Sequence, residues 1–171
     1  MVDEINKARY ELEEVLVALF RSLQELLALT KKERVSLLKE PDLIMQIVED
    51  KEVLLDEINL LEEKCRSAVE KLSRALNLHL DAPSIQALAP HLKSEDASRI
   101  TNLSEGIRSL AAQTREFGRA SQAIALTKLD WLKATQYFLI DMFQPQAGYR
   151  SPKDGTNRQE PVAGLGVERS A

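Results

Sequence analysis

Two histidines, one cysteine and a dense supply of carboxylates are the side chains through which this sequence could do chemistry. On a helical scaffold they would suggest a di-metal carboxylate centre, which needs inward-facing acids and a Glu three residues before a His. His79 and His91 have Leu76 and Leu88 at that spacing, so the ligand pattern is absent. Both histidines flank a proline-bearing connector, where a solvated or capping imidazole is the simpler role. Cys65 lies on the apolar repeat of a helix and reads as a small buried hydrophobe. No serine or cysteine comes with a recognisable base, so no nucleophile is assembled. No glycine-rich phosphate loop follows a strand, because the chain offers no convincing strand. The sequence therefore reads as a non-enzyme, with no catalytic, cofactor-binding or metal site expected.

What remains is the chemistry of apolar surface, and it concentrates in LDWLKATQYFLIDMF, residues 129–143. At about 100° per residue, Trp131, Phe138 and Met142 share one line of a helix. Leu132, Leu139 and Phe143 form a second line beside it, with Leu129 and Ile140 on a third and Tyr137 off all of them. This arc exceeds half the helix circumference, wider than the stripe a surface helix of a small bundle buries. Two readings follow. The helix is central and covered by its own neighbours, or one line packs inward while another receives a helix from a partner.

Three long helical patterns position that segment. In the first, from about Asp3 to Leu38, Ile5, Leu12, Leu19 and Leu26 recur every seven residues, with Ala8, Val15, Ser22 and Leu29 offset by three. Leu16 and Leu23 widen the stripe beyond a two-stranded seam. Pro41 then ends or kinks the helix near Lys39 and suits the first turn of the next, with Asp42 favourable to that end's dipole. The second helix, Asp42 to about Leu78, carries Ile47, Leu54, Leu61, Ala68 and Ala75 in one row. Within it, EDKEVLLDEINLLEEKCR (49–66) sets Leu54, Leu55, Ile58 and Leu61 among acids and lysines as an amphipathic face. Pro83 and Pro90 punctuate a connector with one short helix, Ser84 to Ala89. Ser94, as a cap followed by Glu95 and Asp96, opens a third long helix that runs to Phe143. Its row is Leu103, Leu110, Phe117, Ile124, Trp131 and Phe138, and Gly118 marks either a close helix approach or a weak point. The last 27 residues hold three of the six prolines and four of the six glycines, a composition that cannot bury enough surface to offset its ordering entropy.

The expected fold is all-α: an antiparallel bundle of three long helices with a short connector helix, residues 1–144, followed by a flexible tail, 145–171. A net charge of −4 supplies no field attractive to nucleic acid. No stretch approaches the ~20 apolar residues of a membrane span. One lone cysteine and no secretion signal suggest a cytoplasmic protein.

The layout resembles the flagellar type III export chaperones of the FlgN type. The likeness rests on ELLALTKKERVSLLKEPDLIMQIVEDKEVLLDEINLLEEKCR (25–66), with its helix, short break and Glu/Asp-x-Lys-x-x-Leu-Leu segment closing on Leu-Glu and an arginine. The proline-bearing connector, long last helix and tail follow in the family's order, and GYRSPKDG (148–155) resembles its tyrosine-and-glycine box. The resemblance implies a cytoplasmic helical protein that binds the C-terminal helical segments of hook-associated, or hook–filament junction, proteins. It would prevent their premature assembly and deliver them to the membrane export gate. It implies cargo contacts at Trp131, Leu132, Phe138, Leu139, Met142 and Phe143, and a gate contact at Tyr149. The family often has two asparagines three apart in the last helix, where this chain has Gly118 and Ser121. Whether the free protein is a homodimer stays open, and a structural coiled-coil or oligomerisation module is the competing reading.

Overall fold

The order of elements follows the punctuation of the sequence. In a computed structural model that describes residues 2–143, helix α1 (Val2–Lys39) stops before Pro41 and a 3-10 turn (Pro41–Leu43) leads into α2 (Ile44–Ala75). A short α3 (Ile85–Leu88) and a second 3-10 turn (Ala89–His91) precede α4 (Ser94–Phe143). Among the described residues there is no strand. The chain divides into two compact units, Met1–Trp131 and Leu132–Ala171. The expected tail, 145–171, lies outside the described residues, and Tyr149 with it.

Within the first unit the three long helices run up, down and up. Glu11 pairs with Lys71, Ser22 donates to Glu57 and Lys51 pairs with Glu33, so α2 descends antiparallel to α1. Arg9 with Asp96 and Glu13 with Arg99 then set α4 parallel to α1. The heptad leucines form the core in two layers. Ala8, Leu12 and Leu16 meet Ala68, Val69 and Leu72 of α2, Leu88 of α3 and Ile100 of α4. Above them Leu19, Leu23 and Leu26 meet Leu54, Ile58 and Leu61, with Ile107 and Leu110 of α4 half-buried against them. Each fully buried leucine or isoleucine contributes roughly 1.5–3 kcal/mol, so this interleaving is what holds the unit together. Two buried hydroxyls bond back along their own helix: Thr30 to the Leu26 carbonyl at 2.7 Å and Ser22 to that of Ala18 at 3.2 Å.

Several ends and faces differ from the sequence expectation. Helix α2 stops at Ala75 rather than Leu78 because Asn77 adopts φ 53°. The Asn77 N–H donates to the Arg74 carbonyl and the Leu78 N–H to that of Ser73, closing a left-handed cap that asparagine tolerates. Leu55, read with the apolar face, is 43% exposed, since one residue past Leu54 turns about 100° away from the core. At α4 the first helical bond runs from the Ala97 N–H to the Lys93 carbonyl, so Ser94 lies in the first turn rather than capping it. At the connector, Ser84 caps α3 by accepting from the Ala87 N–H at 3.3 Å. The close approach is at Gly106, not Gly118. A Cβ on Gly106 would sit 2.7 Å from the Phe20 ring, whereas one on Gly118 would meet nothing.

Candidate functional site

Two polar devices dock α4 onto α1. At the lower end Arg9, though charged, is buried; it pairs with Asp96 while its guanidinium lies 4.1 Å over the Tyr10 ring. Arg99 donates to Glu13 at 2.7 Å, and that hydrogen bond, then the Glu13 charge, raises its pKa further above the ordinary value. Higher up, Lys31 and Arg34 stand over the Phe117 ring at 5.1 and 6.0 Å. Both cations are thus used in cation–π contact with the ring. A sequence reading that assigns charge to solvent misses Arg9; the only signal for it was an arginine beside the apolar Ala8.

The register of this docking explains what happens along α4. The lower contacts join residues 87 and 86 positions apart. Carried up the helix, that offset sets Lys39, the last residue of α1, level with Ala125 and Leu126. Below this level the large residues of the α4 row, Leu103, Leu110, Phe117 and Ile124, are half-buried. Above it, Leu126, Leu129 and Trp131 close the first unit and are exposed, Trp131 at 67%. Within the half-buried stretch, between Phe117 and Ile124, Ser121 is buried with its hydroxyl unpartnered.

In the second unit the described residues, 132–143, are the last turns of α4. Leu132, Phe138 and Leu139 are exposed, with Leu139 the least so at 43%. Ile140, Met142 and Phe143 are exposed as well, Phe143 at 77%, and Tyr137 joins them. The charges here are one Lys133 and one Asp141, so the surface is apolar and close to neutral. Every predicted cargo residue from Trp131 to Phe143 is therefore solvent-accessible. Leu126 of the first unit and Ile140 of the second are exposed as well, although neither was among the predicted contacts.

In each unit, exposed apolar side chains on an otherwise charged helix are the kind of surface that marks binding. Among the described residues no group of His, Cys, Asp and Glu could hold a metal ion, and no helix is long and apolar enough to cross a membrane. Cys65 is half-buried at the core edge, and burial, then the nearby Glu62 charge, raises its thiol pKa above 9.0. Both effects disfavour the thiolate, the reactive form of a cysteine. The FlgN protein family profile matches residues 8–155, covering α1 from Ala8 and every later helix just described. The chain belongs to the FlgN family. FlgN proteins are flagellar export chaperones, which accords with a structure whose prominent feature is uncovered apolar helix. The match continues past Phe143 to include Tyr149. No curated protein and no solved structure matches the chain.

Proposed function

We propose that this FlgN protein is a cytoplasmic chaperone that holds the C-terminal helical segment of a hook–filament junction protein against the last turns of α4. It thereby prevents premature assembly and delivers its cargo to the flagellar export gate. The observation that carries the reading is the exposure of Trp131, Leu132, Phe138, Leu139, Met142 and Phe143. An unpolymerised junction protein exposes an amphipathic terminal helix that invites aggregation, and an apolar helix face of the chaperone is its complement. A specific complex typically covers about 800 Å² on each partner. At ~25 cal/mol/Å² the gross gain is large, yet association and ordering costs consume much of it. That balance suits a complex which must hold firmly and still release. Tyr149 is assigned to the gate rather than to cargo, on the family's pattern.

Calorimetry with the C-terminal helix of a junction protein tests the division. Trp131→Ala and Leu139→Ala should weaken cargo binding with helicity retained; unchanged affinity in either folded variant removes that residue from the surface. Tyr149→Ala should spare cargo binding and impair capture by the gate protein, and a loss of cargo affinity would contradict the assignment. A protein that only self-associates in light scattering and takes up no cargo would instead be a structural coiled-coil module.

A further inference from the structure

The hairpin of α1 and α2 carries a second apolar surface, of a different character. A groove of about 520 Å³ runs between the two helices, floored by Ala28 and Leu29 of α1 and by Val53 and Leu54 of α2. Leu54 belongs to the core, but Val53 is 71% exposed, and Leu60, seven residues further along the same face, is exposed too. The α1 side chains whose polar and ring contacts dock α4 (Arg9, Glu13, Phe20, Lys31 and Arg34) do not line this groove, and no α4 residue does. A trough between two antiparallel helices, with exposed Val53 on its wall and exposed Leu60 one heptad further along α2, has the shape that accepts a third helix.

Charge selects which helix. Glu25, Asp50 and Glu57 form the rim and no cation lines it. Asp50 and Glu57 accept hydrogen bonds from the neutral Gln46 and Ser22, which leave their charges uncompensated. Between Glu49 and Glu63 the α2 sequence holds seven acids and one base, and that base, Lys51, is engaged by Glu33 at 2.8 Å. On α1, Arg21 lies four residues before Glu25 and Lys32 four after Ala28, so the negative field comes chiefly from the α2 wall. The last turns of α4, with Lys133 balanced by Asp141, have no such bias.

We infer that this groove docks a basic amphipathic helix of another protein, at a site separate from the cargo surface. Its leucine-like stripe seats on Val53, Leu29 and Leu60, and its basic flank lies along the α2 acids. The chaperone would then carry two helix-binding faces, one nearly neutral and one selected by charge. The inference does not depend on the cargo assignment.

The test uses the full chain and two labelled helical peptides of about five turns, sharing one leucine stripe but bearing lysine or glutamate on the polar face. Fluorescence anisotropy should show the lysine peptide binding about tenfold or more tighter than its glutamate twin, and losing that advantage as salt shortens the screening length. Val53→Lys should abolish the binding and Asp50→Lys with Glu57→Lys should favour the glutamate peptide. These side chains are exposed, so circular dichroism should stay unchanged. Leu139→Ala should leave lysine-peptide binding intact while weakening cargo binding, which keeps the two sites distinguishable. The inference is overturned if both peptides bind alike, or if Leu139→Ala rather than Val53→Lys removes the lysine peptide. It is also overturned if the protein self-associates and Val53→Lys dissolves the dimer, which would assign the groove to a second copy.

Discussion

Helix α4 contains two stretches with one pattern and opposite fates. From Ile100 to Ile124 its large apolar residues are buried or half-buried against α1 and α2; from Leu126 to Phe143 residues of the same kind and spacing are exposed. The change falls where the docking register runs out of α1. Heptad spacing therefore specifies a face, while the lengths of the neighbouring helices decide whether that face is filled from within the chain. In the lower stretch apolar area is a stability term. In the upper stretch the same area stays exposed and adds nothing to it.

That contrast can be broken at either end. Ile100 is 1% exposed, so Ile100→Ala should lower unfolding free energy by about 2–5 kcal/mol in urea titrations, and α4 should loosen with it. Phe138→Ala should change stability by less than ~0.5 kcal/mol. Its effect should appear in cargo affinity instead, as a loss of roughly 2 kcal/mol, about 30-fold. Equal stability losses from the two substitutions would erase the distinction. The smallest effect sharpens it. Gly118 has open space around a would-be Cβ, so Gly118→Ala should raise stability by about 0.5–1 kcal/mol through helix propensity alone. A destabilised Gly118→Ala protein would show that this point of α4 needs its glycine for close packing after all.

Much of the fold could be read from the residue order. The rows through Leu12, Leu19 and Leu26 and through Ile47, Leu54 and Leu61 are the core, and Pro41 and the connector prolines mark the breaks. Faces and ends were less legible, for local reasons. Leu55 shares its hydropathy with Leu54 but lies about a quarter turn away. Asn77 ended α2 by adopting a left-handed backbone that no periodicity records. Between the two helical glycines, sequence singled out Gly118, but Phe20 determines that Gly106 is the crowded one, a fact of docking register. Arg9 was illegible for the opposite reason, as burial of a guanidinium depends on Asp96 and Tyr10 arriving beside it. The exposed end of α4 was visible as an overly wide apolar arc. Whether its own bundle covered that arc depended on where α1 stops.

The halt of α1 level with Ala125 and Leu126 has a consequence for motion. Amides of Ile100 to Ile107 are shielded by two neighbouring helices and open only when the bundle does. Those from Leu126 to Trp131 rely on the helix's own ladder, which is marginal in water over so few turns without lateral support. A single unbroken helix thus holds a gradient from rigid to fraying, and a client laid along its soft end would quench that fraying, so that loading registers as slowed hydrogen exchange as well as covered surface.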